Sequence, residues 1–316
     1  MKGLVLVAFL FAFAAEKSLA QSFPAKPITL ICPCPQILVQ GQYWTTFTRV
    51  AEKHLGQPII IEGPRGTVLQ EGIERMARRE APDGHVIAVL PIPIFRLPHF
   101  ARVRWDPLTD FTYIIGIAAS TFGVVVKSDS QFKTLQNLID FAKENPGRLF
   151  YGASQRGSTA HLAMEELGFK TGARFQPVHS TNANIVESVK ALAEGRIMAI
   201  SDNTEWGPYV DAGTHRLLAT FGELRSRWNA PTTRELGFNV LAYSPFGIVA
   251  PRGLDPKLTK LLHDTFKRAL DDPEYDKLLR QFELVDWYKS SEDYAEWAVD
   301  QFKFQRDLLK RTGIIR

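Results

Sequence analysis

Cysteine is nearly absent: of 316 residues only Cys32 and Cys34 carry a thiol. They stand one residue apart at what reads as a strand end. In an extended chain that spacing sends the two Cβ atoms to opposite faces, whereas a disulfide needs them about 4 Å apart. The pair is therefore expected to remain two small buried residues. No second CxC or CxxC completes a metal site, and none is expected. Nor is there an HExxH, or a GxGxxG following a strand. Gly152-Ala153-Ser154-Gln155-Arg156 lacks the closing glycine of a nucleophile elbow. These absences exclude the commonest metallohydrolase, dinucleotide and serine-hydrolase patterns, so no catalytic residue and no cofactor is assigned. Long runs of one charge are also missing. The formal charge is only +4, and its signs alternate along the chain, which argues against nucleic-acid binding. No internal repeat or low-complexity linker is visible.

The longest apolar run, residues 4–15, follows Lys2 and is broken by Glu16 and Lys17, too soon for a membrane span of about 20 residues. A basic start, a short apolar stretch and Ser18-Leu19-Ala20 read as a secretory signal peptide, 1–20, cleaved after Ala20. No cysteine stands at that cleavage point, so a lipid anchor is not expected. Export to the periplasm follows. Lys2, Lys17 and Glu16 supply +1 of the formal charge, which leaves the exported chain nearly neutral for its size. A 45% hydrophobic composition over this length suits one large core or two moderate ones.

Periodicity orders the rest of the chain. Strands are expected at 27–32, 58–62 and 85–90, with helices at 43–55 and 68–79 between them, a β-α-β-α-β unit with a parallel sheet. Apolar runs at 113–119 and 123–126 read as a crossing into a second series. That series has helices at 135–144, 160–168 and 185–193 and strands at 149–151, 175–179, 197–200 and 216–220. A return crossing at 245–251 precedes a mostly helical C-terminus, with Leu258, Leu261, Leu262, Phe266 and Leu270 on one face. Two crossings between two α/β lobes describe a hinged, ligand-closing protein. The lobes would be 21–120 with 246–316, and 121–245.

One segment stands out chemically. Residues 151–162 form a strand, a Gly/Ser-rich loop and a helix start, with Ser158 or Thr159 as N-cap. Free amides and partial positive charge at such a start favour an anion, and a carboxylate fits. An ordinary strand-to-helix turn would look the same. In the first lobe, residues 33–41 occupy the equivalent turn and would face it across the crevice. His161, one turn into a helix, is more readily read as packing or bonding to backbone than as a base. His179, at the end of a strand, suits a cleft position. Glu165 and Glu166 read as solvated charges. Tyr43, Trp44 and Trp206 read more readily as core than as cleft lining.

The chain resembles the periplasmic solute receptors of tripartite tricarboxylate transporters, the Bug family. The likeness rests on residues 23–31, His54-Leu55-Gly56-Gln57-Pro58, Ala81-Pro82-Asp83-Gly84, 106–111, 145–149, the 151–162 loop and 246–251, in that order and spacing. It implies a two-lobed α/β periplasmic-binding-protein fold, type II-like, in which each lobe is a mainly parallel sheet flanked by helices and two crossover strands form the hinge. It implies a monomer that holds a small carboxylate between the two loops and delivers it to membrane permease subunits, with no enzymatic step. Carried over, Ser154, Gly157, Ser158, Thr159 and His161 match the second loop, and Asp202 matches an acidic residue near the cleft. Cys34, Gln36, Ile37 and Leu38 stand in the first. The family pattern of two adjacent glycines and an Asp is replaced there by Ile37, Leu38 and Gly41, and its small polar run after the third strand is Pro91-Ile92-Pro93-Ile94. These exchanges suit a ligand with an apolar or aromatic body, unless Ile37, Leu38 and Ile92 simply pack inward. A sensor acting through a signalling partner fits the same sequence as well as a transport receptor does.

Overall fold

The structure, a computed structural model, describes residues 23–32, 39–63, 69–180 and 185–316. The expected leader and the first-loop residues Cys34, Gln36, Ile37 and Leu38 lie outside them.

A β-α-β-α-β unit opens the chain: β1 (Ile28–Ile31), α1 (Val39–Leu55), β2 (Ile59–Glu62), α2 (Leu69–Arg79) and β3 (Val86–Pro91). β1 lies between β2 and β3, parallel to both. A short helix α3 (Pro93–Arg96) and a 3-10 turn (Leu97–His99) follow β3 directly. Two apolar runs were expected to form the first crossing, but a single 17-residue strand makes it: β4 (Phe111–Lys127). It changes partners midway. Residues 111–121 pair antiparallel with β9 (Tyr243–Pro251), from Phe111 opposite Pro251 to Thr121 opposite Tyr243. From Phe122 onward β4 pairs with β7 (Ala199–Asn203) and β8 (His215–Thr220).

The second series is α4 (Leu135–Glu144), β5 (Leu149–Ala153), α5 (Thr159–Thr171), β6 (Phe175–His179) and α6 (Ile185–Ala193), then β7, a 3-10 turn (Thr204–Trp206), α7 (Gly207–Asp211) and β8. β5 runs parallel to both β6 and β7. After β9 come α8 (Pro256–Leu270), α9 (Pro273–Phe282), β10 (Leu284–Lys289) and α10 (Ser291–Arg311). β10 was not expected, since its segment read as helical. It pairs antiparallel with β4 from Leu284 opposite Ser120. Only part of it is covered, which leaves no clean two-residue alternation to read.

Separate cores lie on either side of the partner change in β4. On one side Tyr43, Trp44, Phe47, Ile115, Phe246, Phe266 and Phe282 pack together, so Tyr43 and Trp44 are core residues. On the other, Phe122, Val124, Leu138, Tyr151, Met164 and Phe221 do so. Trp206 is fully buried in a third cluster with Val125 and Ile200. Together these make a two-lobed α/β protein on one curled mixed sheet. Cys32 corrects an expectation, for it is disulfide-bonded. The argument against bridging assumed an extended chain, but β1 ends at Ile31, one residue before it.

The return strand tolerates no side chain at Gly247. A Cβ there would stand 2.3 Å from the Ile115 carbonyl oxygen and 2.5 Å from the Tyr294 ring. Replacement must part the two crossing strands or displace a buried tyrosine. Gly247→Ala is expected to lower the unfolding free energy in urea by about 2–3 kcal/mol or more. A loss below about 0.5 kcal/mol would show that the strands yield freely there.

Candidate functional site

The turns at the carboxyl ends of β3, β5, β6 and β7 gather where the two lobes meet. Ser158 caps α5, its Oγ accepting from the His161 amide at 3.3 Å in extended backbone geometry (φ −65°, ψ 162°). Of the two candidate caps, Ser158 is the one used. The first turn of a helix leaves its leading amides without intrahelical partners, so those of Thr159 and Ala160 stand at the positive end of the helix without an i−4 acceptor. Gly157 has φ +77°, a conformation that favours glycine, and donates its N–H to His161 Nδ1 at 2.9 Å. His161, 3% exposed, thus closes the loop on itself, its Nε2 3.4 Å from Glu165. That contact corrects the reading of Glu165 as a solvated charge. Glu166 likewise lies 3.7 Å from Lys170 and 3.9 Å from Arg311. The backbone-bonding reading of His161 is the geometry found.

His179 meets His161 edge to face, with ring centroids 4.8 Å apart. Burial, with a smaller contribution from His161, holds its pKa below the ordinary value. It is half-buried at the end of β6. Ser180 follows it and donates to the Ser154 carbonyl at 3.1 Å, which pins the loop's start. Ser154, Gly157, Ser158, Thr159, His161 and His179 therefore form one continuous cluster. Asp202 sits on the neighbouring strand β7. It is 6% exposed, and its Oδ1 accepts from the Asn203 amide at 2.9 Å. Burial raises its pKa to about 7, and burial together with Asp202 raises Glu205 to about 8.

Sequence reasoning missed the groups on the opposite side. Arg96 on α3 is 3% exposed and reaches across the seam. Its Nη1 donates to Thr159 Oγ1 at 2.9 Å and to the Gly157 carbonyl at 3.2 Å, while Nε donates to Gln305 of α10. Phe100, 38% exposed, lies where a Cβ on Gly157 would meet its ring at 3.1 Å. The available signal was a single charge inside the apolar run Ile92-Pro93-Ile94-Phe95-Arg96-Leu97. Ile92 is 1% exposed and packs inward. Further contacts close the back of the seam. Thr204 Oγ1 donates to the Phe282 carbonyl at 3.0 Å, and Thr121 Oγ1 to that of Glu283 at 3.1 Å. Leu162 packs on Leu308 and Leu309. A depression of about 490 Å³ lined by Leu108, Phe111, Ser291 and Val299 lies at the start of β4, away from these turns.

Two lobes joined by crossing strands, with strand-to-helix turns facing one another at the seam, define a solute-binding protein of the periplasmic type. The chain matches the description Tripartite tricarboxylate transporter family receptor over residues 46–314. It belongs to that family. It is 39% identical over 301 residues to the UPF0065 protein in the gbd 5' region of Cupriavidus necator, covering 94% of this chain and 90% of that one. It is 26% identical over 262 residues to protein BugT of Bordetella pertussis, covering 79% and 78%. Among solved structures, R. palustris Rpa4515 with adipate superposes with a TM-score of 0.83 at 25% identity, covering 92% of this chain and 98% of that one. No helix among the described residues is long and apolar enough to cross a membrane.

Asp202 and Glu205 give the site a pH signature. Their folded pKa values, about 7 and about 8, exceed the ordinary carboxylate values of 3.8 and 4.5. The folded state therefore holds more protons than the unfolded one between those limits, and their contribution to stability falls as pH rises through that window. Asp202→Asn removes one of these groups. Its melting temperature relative to the natural protein is expected to climb between pH 4 and pH 7 and then level off, as read by calorimetry. A difference that stays flat or declines would contradict the burial of an ionisable carboxyl there.

Proposed function

We propose that the chain captures a small carboxylate with an apolar body between lobes 21–120 plus 246–316 and 121–245, and presents it to membrane subunits of a tripartite transporter. The observation that carries this reading is the start of α5. A capped helix terminus, whose leading amides have no intrahelical acceptor, meets the opposite lobe through a buried guanidinium bonded to its first residue. Such a terminus binds a carboxylate through backbone N–H groups and the helix dipole without charged partners of its own. The ligand would lie against Ser154, Gly157, Ser158, Thr159, His161 and His179, with Asp202 at the back; the first-loop candidates Cys34, Gln36, Ile37 and Leu38 lie outside the described residues. Family membership supports the receptor role, and the adipate held by the superposing R. palustris protein supports a carboxylate with a methylene body. Phe100 at the mouth of the loop offers that body an apolar surface.

Capture proceeds by rotation of the lobes about the point where β4 exchanges β9 for β7 and β8. Closure requires no covalent chemistry. The protein acts in the periplasm, as a monomer, after removal of residues 1–20.

A thermal-shift screen of the mature protein against C4–C8 aliphatic dicarboxylates, benzoate and hydroxylated small acids tests the reading. Ligand at about 100 times its Kd adds about 2.7 kcal/mol to native stability. For a chain of this size that raises Tm by roughly 5 °C or more. Stabilisation by adipate, longer diacids or benzoate is the expected result. Stabilisation only by small hydroxylated acids would remove the apolar body from the proposal, and no response to any acid would overturn carboxylate capture.

A further inference from the structure

Among the described residues Arg96 is a buried cation with no carboxylate to match it. Its three acceptors are a backbone carbonyl, a hydroxyl and a side-chain amide, all neutral. No carboxylate lies within 4.0 Å of it among the described residues, and Nη2 has no hydrogen-bond partner among them. The segments 33–38, 64–68 and 181–184 contain neither Asp nor Glu, so the chain between residues 23 and 316 has no undescribed acid to offer. The guanidinium also sits against the first residue of α5, whose helix end is itself positively polarised. Two positive features thus converge on one point in the seam, where an unpaired charge is costly to bury. Burial alone is enough to draw the Arg96 pKa down to about 9.

We infer that Arg96 is the counter-charge for the ligand's carboxylate and sets the specificity of the site for anions, with Nη2 and the amides of Thr159 and Ala160 converging on one carboxylate. This rests on the carboxylate-receptor reading and adds to it a charged partner from the opposite lobe. A guanidinium presents planar, paired donors that match a carboxylate's two oxygens. Because Arg96 belongs to α3 and the amides to α5, one carboxylate held by both ties the lobes together, so binding and closure share a single contact. The neutral bonds to Gly157 and Thr159 position the guanidinium for that contact.

The test compares natural protein with Arg96→Gln and Arg96→Lys by calorimetric titration and thermal melts. The probes are adipate, the best acid of the screen and inorganic phosphate. Expected for Arg96→Gln is an unliganded Tm equal to or above that of the natural protein, because an unpaired buried charge is gone. Its Kd for the acid should weaken by roughly 30-fold or more. Arg96→Lys, which keeps the charge and loses the fork, should fall between the two. Binding within threefold of natural in Arg96→Gln, or a fall in unliganded Tm with affinity retained, would make Arg96 structural and overturn the inference while leaving the receptor reading intact. If no acid binds but phosphate stabilises the natural protein and not Arg96→Gln, the anion site stands and the carboxylate reading falls. If no anion stabilises the natural protein, both fall. Should Arg96→Gln fail to fold, Arg96→Lys carries the comparison: natural affinity in it would overturn the paired-donor role.

Discussion

Everything in this molecule hangs on the 17 residues of β4. A strand must satisfy its backbone donors and acceptors along its whole length, and β4 does so by pairing with β9 and β10 in one half and with β7 and β8 in the other. The lobes are thus two regions of one sheet, and neither core is complete without part of that strand. Burial along it is nearly continuous, from Tyr113 through Val126 with only Thr121 half-exposed. Thr121 is also the last residue paired with β9, and its hydroxyl bonds the Glu283 carbonyl. The partner exchange therefore coincides with an interruption in the strand's burial, where the two packed regions abut.

This arrangement fixes where the candidate site lies. Parallel strands on either side of the exchange point their carboxyl ends at the seam, so the turns after β3, β5, β6 and β7 converge without any one of them having to be long. The site is consequently built from short turns and the helix end that follows β5. Its geometry is set by local bonds: Ser158 to the His161 amide, Gly157 to His161 Nδ1, and Ser180 to Ser154. His161 spends its ring on holding a backbone turn, in keeping with the backbone-bonding reading of its sequence position. That use is consistent with a receptor, where rigidity of the loop lowers the ordering cost of binding.

Much of the fold was legible in the sequence because the signals were periodic. Helices at 135–144 and 185–193 and the strand at 175–179 coincide with the elements found. β10 was not legible, for its residues are half-covered and follow two amphipathic helices whose period carried over into them. The pairing of Cys32 was misjudged because strand geometry was extended one residue beyond the strand. Within the site, the α5 turn could be read from Gly, Ser and Thr at a helix start, since capping is local chemistry. Arg96 could not be placed the same way. Its partners Gly157, Thr159 and Gln305 stand 61, 63 and 209 residues away, and no local pattern encodes contacts of that range.

The place of Arg96 between the lobes bears on how a buried arginine is accommodated. Moving a guanidinium out of water costs several kcal/mol even after relaxation, and three neutral acceptors recover only part of it. In the body of either core such a residue would be a plain liability. Under the rotation of the lobes proposed above, the cost would fall chiefly on the closed arrangement, because opening would break the Arg96 bonds to Gly157 and Thr159. On the proposed role of Arg96, a closed state short of one negative charge would be disfavoured when empty and restored by an anion. Burial that would weaken a rigid protein would, in a hinged one, bias closure toward the filled state, which is the property a solute receptor requires.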